Sequence, residues 1–289
     1  MRCACIDIGS NTTRLLVAEA AHGRLSAVLQ QRAFTRIGHR IDAAGAIPRQ
    51  TIDAVAEVVA AQRAAAEAAG AAHVRAVATA AIRRAPNRGD LVAALRDRAG
   101  VDVAVLSPDD EGRLAFAGAT RTLERPPSGT VAVVDVGGMS TEIAIGTMAG
   151  GVTWLRSFEI GSGMLAGRCR EDPPSRADVE AMRAAADAAF GAADVPRLDH
   201  AVAVGGSAAS LPTLVGPVLD GAALERALAT LGAAPAASVA RRHGLAPERA
   251  QLLPAGILVL DAAARRLGMP LLIGRGGLRE GVVLELAGS

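Results

Sequence analysis

Two short segments of this chain repeat a pattern of residues that could bind phosphate. The first is Asp7-Ile8-Gly9-Ser10-Asn11-Thr12-Thr13-Arg14, and the second is Asp135-Val136-Gly137-Gly138-Met139-Ser140-Thr141-Glu142. In each segment the glycines would let backbone N–H groups approach an anion, the hydroxyls would add donors, and the leading Asp could hold a cation that offsets phosphate charge. One such segment alone is typical of an ordinary hairpin, so the repeat carries the prediction.

Apolar runs on both sides indicate how the two segments are positioned. Cys3–Ile8 and Val131–Val136 lead into them, and Leu15–Val17 and Ile143–Ile145 leave them. Each Asp is therefore expected at the end of a buried strand, beside a tight hairpin turn. Two such turns that face each other would form a jaw around a phosphate chain.

The composition disfavours several classes of function. All 31 basic residues are Arg, because the chain contains no Lys. This excludes a Walker-type Gly-Lys-Ser/Thr loop and Schiff-base chemistry, so phosphate must be bound by Arg and backbone. Aromatic residues make up 2% of the chain, which leaves little for stacking on single-stranded nucleic acid. We expect no nucleic-acid partner.

The cysteines and the hydropathy pattern predict a cytoplasmic protein without a membrane partner. Cys3, Cys5 and Cys169 match neither a zinc site nor a disulfide framework, and free thiols are typical of a reducing compartment. No apolar run approaches the length of a membrane span or a secretory leader, and a strand is expected to begin at the N-terminus.

Periodicity along the chain predicts an α/β fold in two halves. Strands and helices alternate in each half. The predicted helices include Pro48–Ala69, Leu91–Ala99, Ser175–Ala189 and Arg249–Leu267. The segment 124–129 carries two prolines and a glycine and is the best linker, so we expect domain I over 1–124 and domain II over 125–289. Duplicated halves would enclose a cleft.

These features together resemble the exopolyphosphatase and guanosine pentaphosphate phosphohydrolase family, within the superfamily of sugar kinases, Hsp70-type chaperones and actin. The resemblance implies two duplicated actin-like ATPase (ribonuclease H-like) domains that face each other across a cleft, in the short two-domain type. The matching segments besides the two turns are Ala78–Asn87, Asp110–Leu114, Ile160–Ser162, Val204–Ser207, Glu248–Ala250 and Leu278–Gly281.

The resemblance also implies roles for individual residues. Glu111 would be the catalytic base that activates water. Asp135 and Glu142, with Asp7 facing them, would bind Mg²⁺ or another divalent cation. Phosphate would be bound by glycines, hydroxyls and one arginine, namely Gly9, Ser10, Asn11, Thr12, Arg83, Gly137, Gly138, Ser140, Thr141, Gly206 and Ser207.

The leading functional hypothesis is a metal-dependent phosphohydrolase that releases terminal phosphate from inorganic polyphosphate. Hydrolysis of guanosine pentaphosphate is an alternative, and so is a kinase or chaperone-like ATPase. A third alternative is a non-catalytic protein that binds polyphosphate or alarmone. A homodimer is the assembly considered.

Two residues have competing interpretations. Met139 stands where the family has a third glycine, and a methionine forced to positive φ would cost on the order of 1 kcal/mol. Glu111 lies in an acidic first turn, Asp109-Asp110-Glu111, which favours a helix N-terminus on electrostatic grounds alone.

Overall fold

The computed structural model describes residues 1–21, 24–125, 127–191 and 193–288. The chain divides into two compact units. The first comprises Met1–Thr122 together with Gly276–Ser289, and the second comprises Leu123–Arg275. Among the residues that the structure describes, no helix is both long and apolar enough to cross a membrane.

The first unit is a five-stranded sheet with helices packed against it. Its strands are β1 (Arg2–Ile8), β2 (Thr13–Ala21), β3 (Arg24–Ala33), β4 (His73–Ala78) and β5 (Val103–Val105). Its helices are α1 (Ile37–Arg40), α2 (Arg49–Ala68), α3 (Ala80–Arg84), α4 (Arg88–Ala99), α5 (Pro108–Arg121) and α13 (Leu278–Leu286). The strand order is β3-β2-β1-β4-β5, with β1 to β3 antiparallel and β1, β4 and β5 parallel.

The second unit repeats this plan around a six-stranded sheet. Its strands are β6 (Val131–Val136), β7 (Thr141–Thr147), β8 (Gly151–Phe158), β9 (His200–Val204), β10 (Val218–Leu219) and β11 (Leu271–Ile273). Its helices are α6 (Ser162–Ala166), α7 (Arg176–Phe190), α8 (Gly205–Ala208), α9 (Pro212–Val215), α10 (Gly221–Gly232), α11 (Ala236–His243) and α12 (Pro247–Leu267). The strand order is β10-β11-β9-β6-β7-β8.

The duplication extends to detail and confirms the predicted fold class. Each unit starts with an antiparallel meander of three strands, and its first strand then pairs in parallel with the next strand in the chain. A register irregularity follows Val17 in β2 and Ile145 in β7, at equivalent places in the two meanders. The molecule is α/β, with two units that share one sheet plan.

The C-terminal helix differs from the sequence expectation, because α13 belongs to the first unit and not to the second. Val282 and Val283 pack in one core cluster with Cys3 and Cys5 of β1. A Cβ on Gly281 would overlap the backbone of α5 at Leu114, so glycine is what allows the two helices to touch. The second unit begins at Leu123, two residues before the predicted boundary, and Pro126 of the predicted linker lies outside the described residues.

Candidate active site

The first glycine turn connects β1 to β2 and is held by the chain that follows β3. Gly9 N donates to Thr12 O at 3.0 Å and closes the turn. Gly38 N donates to Ser10 O at 2.8 Å, and Arg36 N donates to Asn11 O at 3.0 Å. Because protein donors bind these carbonyl oxygens, the turn has the fixed backbone that an anion site of N–H groups requires.

The second glycine turn connects β6 to β7 and has the same construction. Gly137 N donates to Ser140 O at 3.0 Å. Met164 N donates to Gly138 O at 2.8 Å, and Ser162 N donates to Gly137 O at 2.9 Å. The start of α6 therefore holds the second turn as the start of α1 holds the first.

Met139 does not carry the strain that a positive φ would impose. Among the described residues, Arg36 is the non-glycine residue with positive φ, at 52°. The conformation of the second turn therefore does not require glycine at position 139. The close approach lies elsewhere, since a Cβ on Gly161 would come within 2.5 Å of Met139 N.

Asp7 and Asp135 end equivalent strands but face residues of opposite charge. Asp7 is directly opposite Arg14 in the β1–β2 pair, whereas Asp135 is directly opposite Glu142 in the β6–β7 pair. Directly paired residues of antiparallel strands lie on the same face, with Cβ atoms about 5 Å apart. The two hairpins thus share a backbone plan and differ in electrostatics.

The Asp7 carboxyl is placed where its charge is costly. Its Oδ1 is buried and has no hydrogen-bond partner among the described residues. Burial raises the pKa of Asp7; the Arg14 and Arg279 guanidinium groups oppose this, and the Glu280 carboxylate adds to it. Glu280 Oε2 accepts a hydrogen bond from Gly277 N at 2.8 Å, so the start of α13 is tied down near Asp7.

Asp135 and Glu142 form a pair that fits a hard cation. Glu142 is buried and accepts a hydrogen bond from Ser157 Oγ at 2.8 Å. A Cβ on Gly205, whose φ is 90°, would lie 2.7 Å from Asp135 Oδ1, so glycine is needed there. Among the described residues no group of three or more His, Cys, Asp or Glu side chains could hold a metal ion. A cation at this pair would complete its shell with phosphate or water oxygens.

Glu111 is buried in contact with Arg83. Ser107 caps α5 by accepting from Asp110 N at 3.1 Å, which places Glu111 in the first turn of that helix. Glu111 is 7% exposed, and its Oε2 accepts a hydrogen bond from Arg83 Nη1. The same Nη1 donates to Leu106 O at 2.7 Å. The two predicted functional residues are thus brought together.

This pair lies at the carboxyl edge of the parallel strands, where α/β sheets bind ligands. Strands β1, β4 and β5 end beside one another, because Thr79 N donates to Ile8 O and Leu106 N donates to Ala78 O. The first turn, α3 with Arg83, and α5 with Glu111 follow these three ends. The sequence-predicted residues of this unit therefore share one edge of one sheet.

Two hydroxyls predicted to bind phosphate are buried inside the protein. The Thr141 hydroxyl donates to Ile160 O at 2.7 Å and is fully buried. Ser207 is 1% exposed, and α12 covers its hydroxyl at Gly256. Within the part of the chain that the structure describes, this hydroxyl has no hydrogen-bond partner. Neither hydroxyl is presented to a phosphate in this structure.

Sequence reasoning missed the residues that border Asp7 and Glu142. The register of the strands places Arg14 opposite Asp7 and Ser157 opposite Glu142. The length of each hairpin turn could have indicated this register. Gly205 lies in a segment that matches the family, and its positive φ beside Asp135 makes it the constrained residue there.

Comparison with known proteins gives similarity over nearly the whole chain. The model of the Ppx/GppA phosphatase family matches residues 16–289. Exopolyphosphatase 1 of Mycobacterium leprae (strain TN) is 32% identical over 304 positions, which cover 99% of this chain and 89% of that protein. The crystal structure of the Aquifex aeolicus member of the Ppx/GppA family is 29% identical, with a TM-score of 0.83 over 100% of this chain and 98% of that one. An exopolyphosphatase from Cytophaga hutchinsonii, 21% identical, shares the fold, with a TM-score of 0.87 over 99% and 97%.

Proposed function

Because this chain belongs to the Ppx/GppA phosphatase family, we propose that it is an exopolyphosphatase that hydrolyses the terminal phosphate from inorganic polyphosphate. The mycobacterial relative named above carries that activity in its name. The observation that carries the proposal is the buried contact between Glu111 and Arg83, at the sheet edge where the first glycine turn lies.

Glu111 and the first turn supply what phosphoanhydride hydrolysis requires. The reaction needs a positioned water, a base and donors for the phosphoryl oxygens, with little covalent chemistry from the protein. Glu111 takes a proton from water as the water oxygen bonds to the terminal phosphorus. The bridging P–O bond then breaks, and its electrons leave on the shortened chain. The turn residues Gly9–Thr12 and the Arg83 guanidinium bind the phosphoryl oxygens.

The second unit contributes phosphate donors and the cation ligands. Gly137, Gly138 and Ser140 would provide the donors, while Asp135 and Glu142 would hold a divalent cation such as Mg²⁺. Mg²⁺ is usually bound through one or two carboxylates plus substrate phosphates, which the directly opposed pair matches. The cation would neutralise phosphate charge.

Three predicted site residues have weaker support. Asp7 stays a prediction as a third cation ligand, because the Arg14 and Arg279 guanidinium groups already act on its carboxyl. The Ser207 hydroxyl is buried under α12, which disfavours it as a phosphate contact, whereas Gly206, a backbone donor, stays a prediction. The cytoplasm as compartment and a homodimer as assembly remain proposals from the sequence.

A comparison of substrates tests the proposed function. Purified protein with Mg²⁺ is given long-chain polyphosphate, guanosine pentaphosphate and ATP in parallel, and released phosphate and ADP are measured. The proposal predicts the highest kcat/KM on polyphosphate. Higher kcat/KM on guanosine pentaphosphate would establish the alternative hydrolase, and ADP as the main product would establish an ATPase. Tight polyphosphate binding without turnover would establish a binding protein.

A further inference from the structure

The two units carry different charges at equivalent positions of their sheets, with arginines in the first where the second has a glutamate and a serine. Across β1, β2 and β3 the row is Asp7, Arg14, Arg32, with each residue directly opposite the next. Across β6, β7 and β8 the equivalent row is Asp135, Glu142, Ser157. Since residues in register lie on one face, each row is continuous from the strand end to the edge of its meander.

The row in the first unit places two arginines at directly opposed positions of β2 and β3. Like charges directly opposite in a sheet destabilise it unless something offsets them. The carboxylates in the second unit show that the hairpin itself does not demand arginines here. Strands lie about 4.8 Å apart, so the row reaches about 10 Å from Asp7 to Arg32.

Arg14 and Arg32 differ in how they are held. Arg14 Nε donates to Thr12 Oγ1 at 3.0 Å, which ties this side chain to the first glycine turn. Arg32 is exposed, and its guanidinium carbon lies 5.2 Å from the centre of the Phe34 ring. Within the described parts of the chain, Arg32 has no carboxylate partner. The row thus begins at the first glycine turn and ends at the exposed guanidinium of Arg32, which makes a cation–π contact with Phe34.

We infer that Arg14 and Arg32 form a second anion subsite, which binds internal phosphates of the polyphosphate chain as it leaves the first glycine turn. The inference rests on the proposed function, and it adds a site that would favour long polyphosphate chains over short ones. Guanidinium groups bind phosphate oxygens by paired N–H donors, and exposed Arg32 presents such a fork one strand beyond Arg14. A chain that ends within the turn cannot reach Arg32, whereas a long chain can.

Arg32→Gln and Arg24→Gln form the test pair. Arg24 is an exposed arginine at the other end of β3, so its variant loses the same charge from the same strand. We expect Arg32→Gln to raise KM on long-chain polyphosphate roughly three- to tenfold. The increase in KM of Arg32→Gln on tripolyphosphate should be smaller. Arg24→Gln should keep KM near wild type on both long-chain polyphosphate and tripolyphosphate. Arg32→Lys should recover part of the long-chain affinity.

Equal KM values for Arg32→Gln and Arg24→Gln on the long chain would overturn the inference, and so would an equal increase on both chain lengths. Binding of long-chain polyphosphate to the same variants, measured by calorimetry, separates the inference from the proposed function. Weaker binding in Arg32→Gln alone supports the subsite even if wild-type protein releases no phosphate. Unchanged binding overturns the subsite even if wild-type protein is an active exopolyphosphatase.

Discussion

Arg83 donates a hydrogen bond to the Glu111 carboxylate, in a pair whose side chains are 19% and 9% exposed. Arg83 also donates to Leu106 O, so its guanidinium is fixed between the end of β5 and the first turn of α5. The sequence resemblance gave these residues separate roles as base and phosphate ligand. Their contact predicts that the proposed phosphate ligand, Arg83, also orients the proposed base, Glu111.

The contact predicts energetic coupling between the two side chains. Arg83→Ala should destabilise the protein by about 1–3 kcal/mol, because a buried carboxylate loses its charged partner. Arg83→Ala combined with Glu111→Gln should cost less than the sum of the single changes. Urea unfolding of the four proteins of this cycle measures the coupling, and additive free energies would contradict it.

Asp135 and Glu142 predict a specific metal dependence. Asp135→Asn and Glu142→Gln should each raise the Mg²⁺ concentration needed for half-maximal phosphate release, since neutral ligands hold a hard cation less well. Glu180→Gln, at an exposed acid of α7, is the matched control and should leave that concentration unchanged. If all three variants need the same Mg²⁺ concentration, neither carboxylate is a cation ligand.

The buried Asp7 carboxyl predicts a conflict between stability and activity. Burial raises the pKa of Asp7 in the folded state above its value in the unfolded chain. The ionised carboxyl therefore lowers the free energy of unfolding by its full amount at pH values above the folded-state pKa. Below the unfolded-state pKa the carboxyl is protonated in both states and has no such effect. Asp7→Asn should therefore raise the free energy of unfolding at pH 7. The gain should shrink as the pH falls through the folded pKa toward the unfolded one, while phosphate release drops at every pH. Urea unfolding as a function of pH checks this, and a gain that grows as pH falls would refute the assignment.

Met139 predicts a small effect of restoring glycine. Because Met139 is not at positive φ, Met139→Gly relieves no backbone strain and should lower stability by up to about 1 kcal/mol through the freer unfolded chain. KM on polyphosphate should stay within about twofold of wild type, which is under 0.5 kcal/mol. Steady-state kinetics at several chain lengths measure this. A large improvement would mean that the methionine side chain itself obstructs the substrate.

Local signals in the sequence predicted the framework of the site. The apolar runs before Asp7 and Asp135 specified strand ends, and the predicted helix over Pro48–Ala69 matches α2 within one residue at each end. Periodicity and turn chemistry are local, so one sequence is enough to read them.

Features that depend on tertiary contacts could not be predicted from the sequence. The return of α13 to the first unit depends on the fit of Gly281 against α5, and no local pattern encodes that fit. The burial of Ser207 under Gly256 is a contact between distant segments, as is the pairing of Arg83 with Glu111. Cross-strand partners such as Arg14 and Arg32 need the register of a sheet, which the sequence only partly indicates.

The role of Glu111 as the catalytic base is tested by comparing phosphate release from polyphosphate in Glu111→Gln and Asp109→Asn. Both residues lie in the first turn of α5, but Asp109 is exposed whereas Glu111 is buried against Arg83. If Glu111 is the base, its variant should keep polyphosphate binding by calorimetry and lose roughly 10²-fold or more in kcat, while Asp109→Asn stays near wild type. Near-normal kcat in Glu111→Gln, or equal losses of kcat in both variants, would show that Glu111 is not the catalytic base.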